Sequence, residues 1–510
     1  MSDPLDDFLK SVAHQTSLGH LKRDQAFLRQ VKQMCTHPGT TGAGNSRDMA
    51  SVASAYRFAA NEAVDLADLR RVRATSTFDR APADETILVI NDVSILDYWR
   101  HDTKQDRRAV GDGKGKGYEY VCNLAVSLES EQYLGVVHDC LISAEGPDDS
   151  EQIDYHANPL FTPLSETDPD RLACNHKHIL DQHVEHIVSI APEKKMVFVA
   201  DREFDDHFIF TKVIRQKTDA VIRSNALRHV QVSESLTWLP KEEHRPKYAG
   251  LPLEDGYTCC AMKSLVKHVP VEPFKSLSLD GKGRICEPKV AKSTIDVSLG
   301  YFPVKLYRQA KRNKTYFQPE DYCDLNVVVV RETNPPADRK AIEWVLYTTL
   351  PIDTVEQRAR IVRIYELRWL IESFFKYLKS GFGIEDLRYN NVRKTAIHLV
   401  AITLAAAFLC NLKTEVGLPR TGLIPGEDYP RVKEAAKNPN DTSIDANLRL
   451  FALLAVKGGW RGRKNDPISP LTLMKGYGII QTILDIMEDS SGLLEELLKL
   501  RNVGGKDYCV

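Results

Sequence analysis

Two short apolar runs constrain this chain more than any other feature. Ile87-Leu88-Val89-Ile90 and Met196-Val197-Phe198-Val199-Ala200 contain no polar side chain. Runs of this kind suit strands buried on both faces of a sheet. The first leads into Asn91-Asp92 and the second into Asp201. In open α/β sheets, ligand sites gather at the carboxyl ends of strands. Two carboxylates delivered there by adjacent strands suit a hard divalent cation such as Mg²⁺, which takes oxygen ligands. Either aspartate alone also reads as a turn or helix-capping residue.

The surrounding pattern predicts a mixed α/β layer. Residues 1–75 read as helical, with Leu18, Leu21, Phe27, Leu28 and Val31 at helical spacing. Strand-like runs follow over 119–128 and 133–142, and the Gly-rich stretch 111–117 reads as a mobile loop before them. A helix over 170–190, the run 196–200, a helix through Phe208, Ile209 and Val213, and a strand over 219–223 complete a β-β-β-α-β-α-β order. Residues 226–340 read as β and loop. A long helix is predicted over 353–379, and from Val392 the chain is again helical and apolar.

Composition serves mainly to exclude. The chain has 510 residues, 43% hydrophobic and 27% charged, which rules out wholesale disorder. The apolar run Leu399–Cys410, broken by Thr403, falls short of the roughly 20 residues of a membrane span. The start MSDPLDDFLK lacks the basic and apolar segments of a secretory signal. Ten cysteines without a C-x-x-C pair read as reduced thiols. A cytoplasmic protein without membrane association is expected. Net charge is only −2, yet residues 228–318 hold sixteen Lys/Arg against nine Asp/Glu, a local +7 that leaves −9 for the rest. Such asymmetry suits a segment facing a polyanion, or a solvated basic surface.

The helix after Asp353 carries Tyr365, Arg368, Glu372 and Lys379. Taken as one continuous helix at 100° per residue, these four fall within about 60° of one another. Leu367, Leu370, Ile371, Phe374 and Leu378 occupy the opposite side. An acid, two bases and a phenol on one stripe could supply a metal ligand and several phosphate contacts. A plain amphipathic helix gives the same periodicity.

Tyr-x2-Arg-x3-Glu-x6-Lys with two strand-end aspartates resembles the signature of bacterial cut-and-paste DDE transposases of the insertion-sequence-four group. The likeness extends over most of the chain, through Ala55-Tyr56-Arg57-Phe58, Asp92 with Ser94, Asp201-Arg202-Glu203, Arg223-Ser224, Asn334-Pro335-Pro336, Trp344 and Gly458-Gly459. The resemblance implies a ribonuclease-H-like mixed-sheet core with a β-rich insertion, flanked by helical N- and C-terminal domains. It implies a catalytic, metal-holding triad of Asp92, Asp201 and Glu372, with two Mg²⁺ and Mn²⁺ able to substitute. Arg223, Tyr365, Arg368 and Lys379 would hold DNA phosphates, and Trp344 would receive a flipped base. The expected division is 1–75 for end binding, 76–225 and 341–395 for the core, 226–340 for the basic insertion and 396–510 for protomer pairing. The implied partners are double-stranded terminal-repeat and target DNA and a second copy of the chain. Without the resemblance, Trp344 reads as a core residue. A relic that binds without cutting, and a purely hydrolytic nuclease, are the rival readings.

Other patterns say less. Cys174, His176, His178, His183 and His186 could ligate zinc, but no closed set with finger spacing emerges. The stretch 111–117 does not satisfy the P-loop pattern. Lys305, Arg308, Lys311, Arg312 and Lys314 interleave with Tyr307 and Tyr316, which suits nucleic-acid contact or a solvated hairpin.

Overall fold

The two apolar runs lie side by side in the middle of one large sheet. A computed structural model of the chain describes residues 4–38, 49–150, 153, 163–165, 168–172, 176–240, 254–279, 293–307, 322–335, 341–411 and the single positions 454, 457, 472 and 476. Four helices come first: α1 (Pro4–Gln15), α2 (Leu21–Thr36), α3 (Met49–Ala60) and α4 (Leu66–Arg80). Then follow β1 (Ile87–Asp97), β2 (Arg108–Val110), β3 (Gly115–Ser127), β4 (Tyr133–Ser143), β5 (Gly146–Pro147), β6 (Pro163–Ser165) and β7 (Asp168–Leu172). Next are α5 (His176–Ile190), β8 (Met196–Ala200), α6 (His207–Arg215) and β9 (Asp219–Arg223). The following stretch adds β10 (His229–Ser233), β11 (Tyr257–Ala261), α7 (Met262–His268), β12 (Glu272–Leu279), β13 (Ser293–Tyr307), β14 (Tyr322–Glu332) and β15 (Glu343–Thr348). Helices α8 (Val355–Glu366), α9 (Trp369–Gly381) and α10 (Val392–Cys410) close the described part.

The strand order is β11-β10-β13-β14-β15-β9-β8-β1-β3-β4-β5, with β12 on β13 and β2 on β3, thirteen strands in all. β1, β3 and β4 form an antiparallel meander, and β8 and β9 join β1 in parallel. This mixed α/β layer fits a ribonuclease-H-like core. Alternation explains the unbroken apolar runs. Leu88, Ile90, Val197, Val199 and Val221 enter one apolar core. Ile87, Val89, Met196, Phe198, Ala200, Ala220 and Ile222 enter the other, on the opposite face. The first core is shared with α1, α2, α9 and α10, the second with α5 and α6.

The helix expected over 170–190 begins only at His176, after β7, and four larger expectations change. First, β1 does not end at Asp92 but continues to Asp97, because β3 pairs with it throughout. Second, the Gly-rich stretch is a hairpin turn, with β2 paired to the start of β3 and Gly111 and Gly113 at φ +65 and +84. Third, the strands beyond residue 226 extend the core sheet through β15, which pairs with β9. Fourth, the long helix over 353–379 is two helices. At the junction Arg368 N–H bonds to the Tyr365 carbonyl (3.1 Å) and Leu370 N–H to that of Leu367 (3.0 Å), a tightening to i−3 spacing.

Helix α10 is 19 residues long and, by length and composition alone, apolar enough to cross a membrane. It extends N-terminal to the run visible from Leu399. Here 83% of its apolar window is buried, as in a core helix, packed on α2, α4 and β4.

Candidate active site

Asp92 and Asp201 come together where the β1–β8 ladder opens. The last parallel pair is Ile90 with Val199. Continued in register, the same alignment sets Asp92 level with Asp201. Asp92 lies within β1, opposite Cys122 of β3. Asp201 has also kept its capping role: its side chain accepts from Glu203 N–H (2.8 Å) at a 3₁₀ turn over Arg202–Phe204.

The α8–α9 junction faces these two acids. Arg368 donates to Asp92 Oδ2 (3.1 Å) and to Glu372 Oε1, so one guanidinium bridges two of the three carboxylates. Arg368 sits at the N-cap of α9 and Glu372 in its first turn, one helical turn apart. Burial pushes the Asp92 carboxyl up to about 6, against the pull of Arg368 and with the added repulsion of Asp201 and Glu372. Burial opposes the charge on Arg368, but Tyr365, Asp92 and Glu372 outweigh it and hold its pKa above the usual range.

The remaining members of the motif surround this pair. Burial raises the Tyr365 phenol, while Arg368 and Arg223 pull it down. Arg223 donates to the Glu343 carbonyl (3.2 Å). Lys379 pairs with Glu385 (3.2 Å) and donates to the Ile95 carbonyl, further along β1. Trp344 is 8% exposed, inside the apolar core. Its ring stands edge-on to Tyr365, 5.0 Å between centroids. Burial at this level is what the core reading of Trp344 requires.

Three carboxylates are a hard oxygen donor set that fits divalent metal. In the conformation described, Arg368 supplies the positive charge between Asp92 and Glu372. Among the described residues, the group with three ligand atoms within 4.8 Å of one another is His138, Asp149 and His183, not the triad. That group was missed in the sequence. Only His183 drew notice, because its partners lie on β4 and after β5, without a spacing motif.

Some expectations fall outside the described residues: Cys174, the His178 side chain, Arg308, Lys311, Arg312, Lys314, Tyr316, Gly458-Gly459 and the chain after residue 411 except four positions. Of the basic tract, Lys305 is committed to Glu254 (3.1 Å) and Asp324 (3.0 Å).

Residues 175–408 match the family described as Transposase DDE domain. The matched stretch holds Asp201, Arg223, Trp344, Tyr365, Arg368, Glu372 and Lys379, whereas Asp92 precedes it. Together with the mixed sheet, this match supports a DDE transposase. Such proteins are DNA phosphoryl-transfer enzymes that use divalent metal ions.

Proposed function

We propose that the chain is a cut-and-paste transposase of the insertion-sequence-four group, its landmark residues most like those of the transposase of transposon five. One observation carries the reading. Arg368 reaches both Asp92 and Glu372, while Asp201 acts on Asp92 from the neighbouring strand. The three carboxylates of the signature therefore share one electrostatic neighbourhood.

Asp92, Asp201 and Glu372 would hold two Mg²⁺, with Mn²⁺ able to substitute. The metals supply activation of the attacking oxygen and stabilisation of the leaving one. The protein's own part is positioning. Arg368 must exchange its carboxylates for a DNA phosphate, a swap that frees the acids as it anchors the substrate. Arg223, Tyr365 and Lys379 flank the same place and take neighbouring phosphates. Trp344 receives a flipped base once its pocket opens, a contact worth about 1–3 kcal/mol. One site then runs nicking at the element's ends, attack of the freed 3′-hydroxyl to form a hairpin, hairpin opening and strand transfer to target DNA. The helices of 1–75 bind terminal repeats, the insertion 226–340 draws DNA to its basic face, and residues 396–510 pair two protomers on two ends. The protein works in the cytoplasm, at the nucleoid when acting.

The test is Glu372→Ala. Cleavage of a labelled end should be abolished while end binding stays nearly intact, because phosphate contacts dominate affinity. Equal loss of binding and cleavage would assign Glu372 a structural role. Strand joining into a plasmid separates a transposase from a purely hydrolytic nuclease.

A further inference from the structure

A second polar cluster lies inside the molecule, between β4 and α5. His138 and His183 each place Nε2 against the same atom, Asp149 Oδ2, at 2.9 and 3.1 Å. The three side chains are at most 1% exposed. His186 stands three residues from His183, on the same face of α5. Its ring lies 4.6 Å from that of His138, and the His138 and His183 rings are 4.4 Å apart. Two imidazoles thus meet one buried carboxylate, and a third stands edge-on to the first.

Hydrogen bonding alone leaves this cluster incomplete. His138 Nδ1 is buried with no hydrogen-bond partner. The three candidate ligand atoms lie within 4.8 Å of one another.

We infer that His138, His183 and Asp149 form a structural zinc site, with His186 as fourth ligand. Ligand distances of about 2.0–2.1 Å in a tetrahedron set ligand atoms roughly 3.3–3.4 Å apart. The nitrogen–oxygen separations here need to open by only a few tenths of an ångström. Nitrogen-rich donors select zinc over Mg²⁺, so this site and the three-carboxylate site take different ions. Asn123 Nδ2, 2.9 Å from His183 Nδ1, orients the ring so that Nε2 faces Asp149. The inference stands apart from the proposed function, since it shares no residue with it.

The experiment is elemental analysis of the purified full chain after growth with zinc, with cobalt substitution read by visible absorption. About one zinc per chain is expected. It should persist in a variant carrying Asp92→Asn and Glu372→Gln, which empties the other site, and be lost in His183→Ala. Chelation should lower Tm by roughly 5 °C or more. If His183→Ala does not fold, Asp149→Asn replaces it, and the metal content of the unmodified chain still decides. A zinc-free chain with no tetrahedral cobalt bands would overturn the inference and make the cluster a metal-free hydrogen-bond network.

Discussion

Arg368 holds two acids of the site at once. While it spans Asp92 and Glu372, it offsets the repulsion among acids that metal would otherwise relieve. Burial nonetheless pushes the Asp92 carboxyl from 3.8 up to about 6, although Arg368 pulls it down. A carboxyl raised in the folded state contributes stability below its unfolded pKa and loses it as pH rises through the folded one. Asp92→Asn removes that titration. In chelator, the variant should therefore gain stability relative to the parent between about pH 4 and pH 7, by up to about 3 kcal/mol. Denaturant melts at several pH values check this, and a difference independent of pH would show that Asp92 does not titrate in that window. At this scale the place of Asp201 just after a buried strand was legible, whereas Asp92 lies inside β1 and Glu372 follows a helix break that spacing does not show. The contacts of Arg368 were not legible, since spacing gives a face and never what the face meets. His138 and Asp149 left no mark, because a strand residue and a turn residue become neighbours only through the fold.

Elements show the same division. The strands at 196–200 and 219–223 were read to the residue, since each is short, apolar and bounded by polar positions. The helix break at Leu367–Arg368 went unread, because both halves keep the same apolar period and no Pro or Gly marks the joint. Helix α4 is a further case. It crosses residue 75 and sends Arg70 and Arg73 into the core, where Arg73 grips Asp139 with both terminal nitrogens (2.7 and 2.8 Å) and Tyr120 donates to the same carboxylate (2.8 Å). Arg73 also donates to Thr403 of α10 (3.1 Å). Arg73→Ala strips Asp139 of its bidentate partner in a fully buried place. A cost of about 3–5 kcal/mol is expected, as for other buried pairs broken from one side. Urea unfolding of the full chain measures it, and a loss below about 1 kcal/mol, the scale of an exposed pair, would mean that water or Arg70 compensates.

For the whole molecule, the fold class was legible and its extent was not. An order of strands and helices announces a mixed layer, but pairing beyond residue 226 depends on long-range register that sequence pattern does not encode. The apolar run at Leu399 could have served either core or protomer pairing, and it is core: residues 399–410 are buried within the chain. On the proposed function, the protomer contact within 396–510 is then expected beyond this helix. Deleting Ile479–Val510 should spare binding to a single DNA end and remove paired-end complexes, resolved by native gel electrophoresis. Paired ends formed by the truncated chain would place the contact elsewhere. The continuity of the sheet has a consequence for engineering. β14 covers one side of β15 along six residue pairs, and β15 in turn covers β9. Cutting out 226–340 to make a smaller enzyme would leave β15, buried at five of its six positions, as a raw apolar edge. Exposed edges of that kind recruit other strands, so the minimised protein would aggregate unless a replacement strand or a charged edge were grafted on.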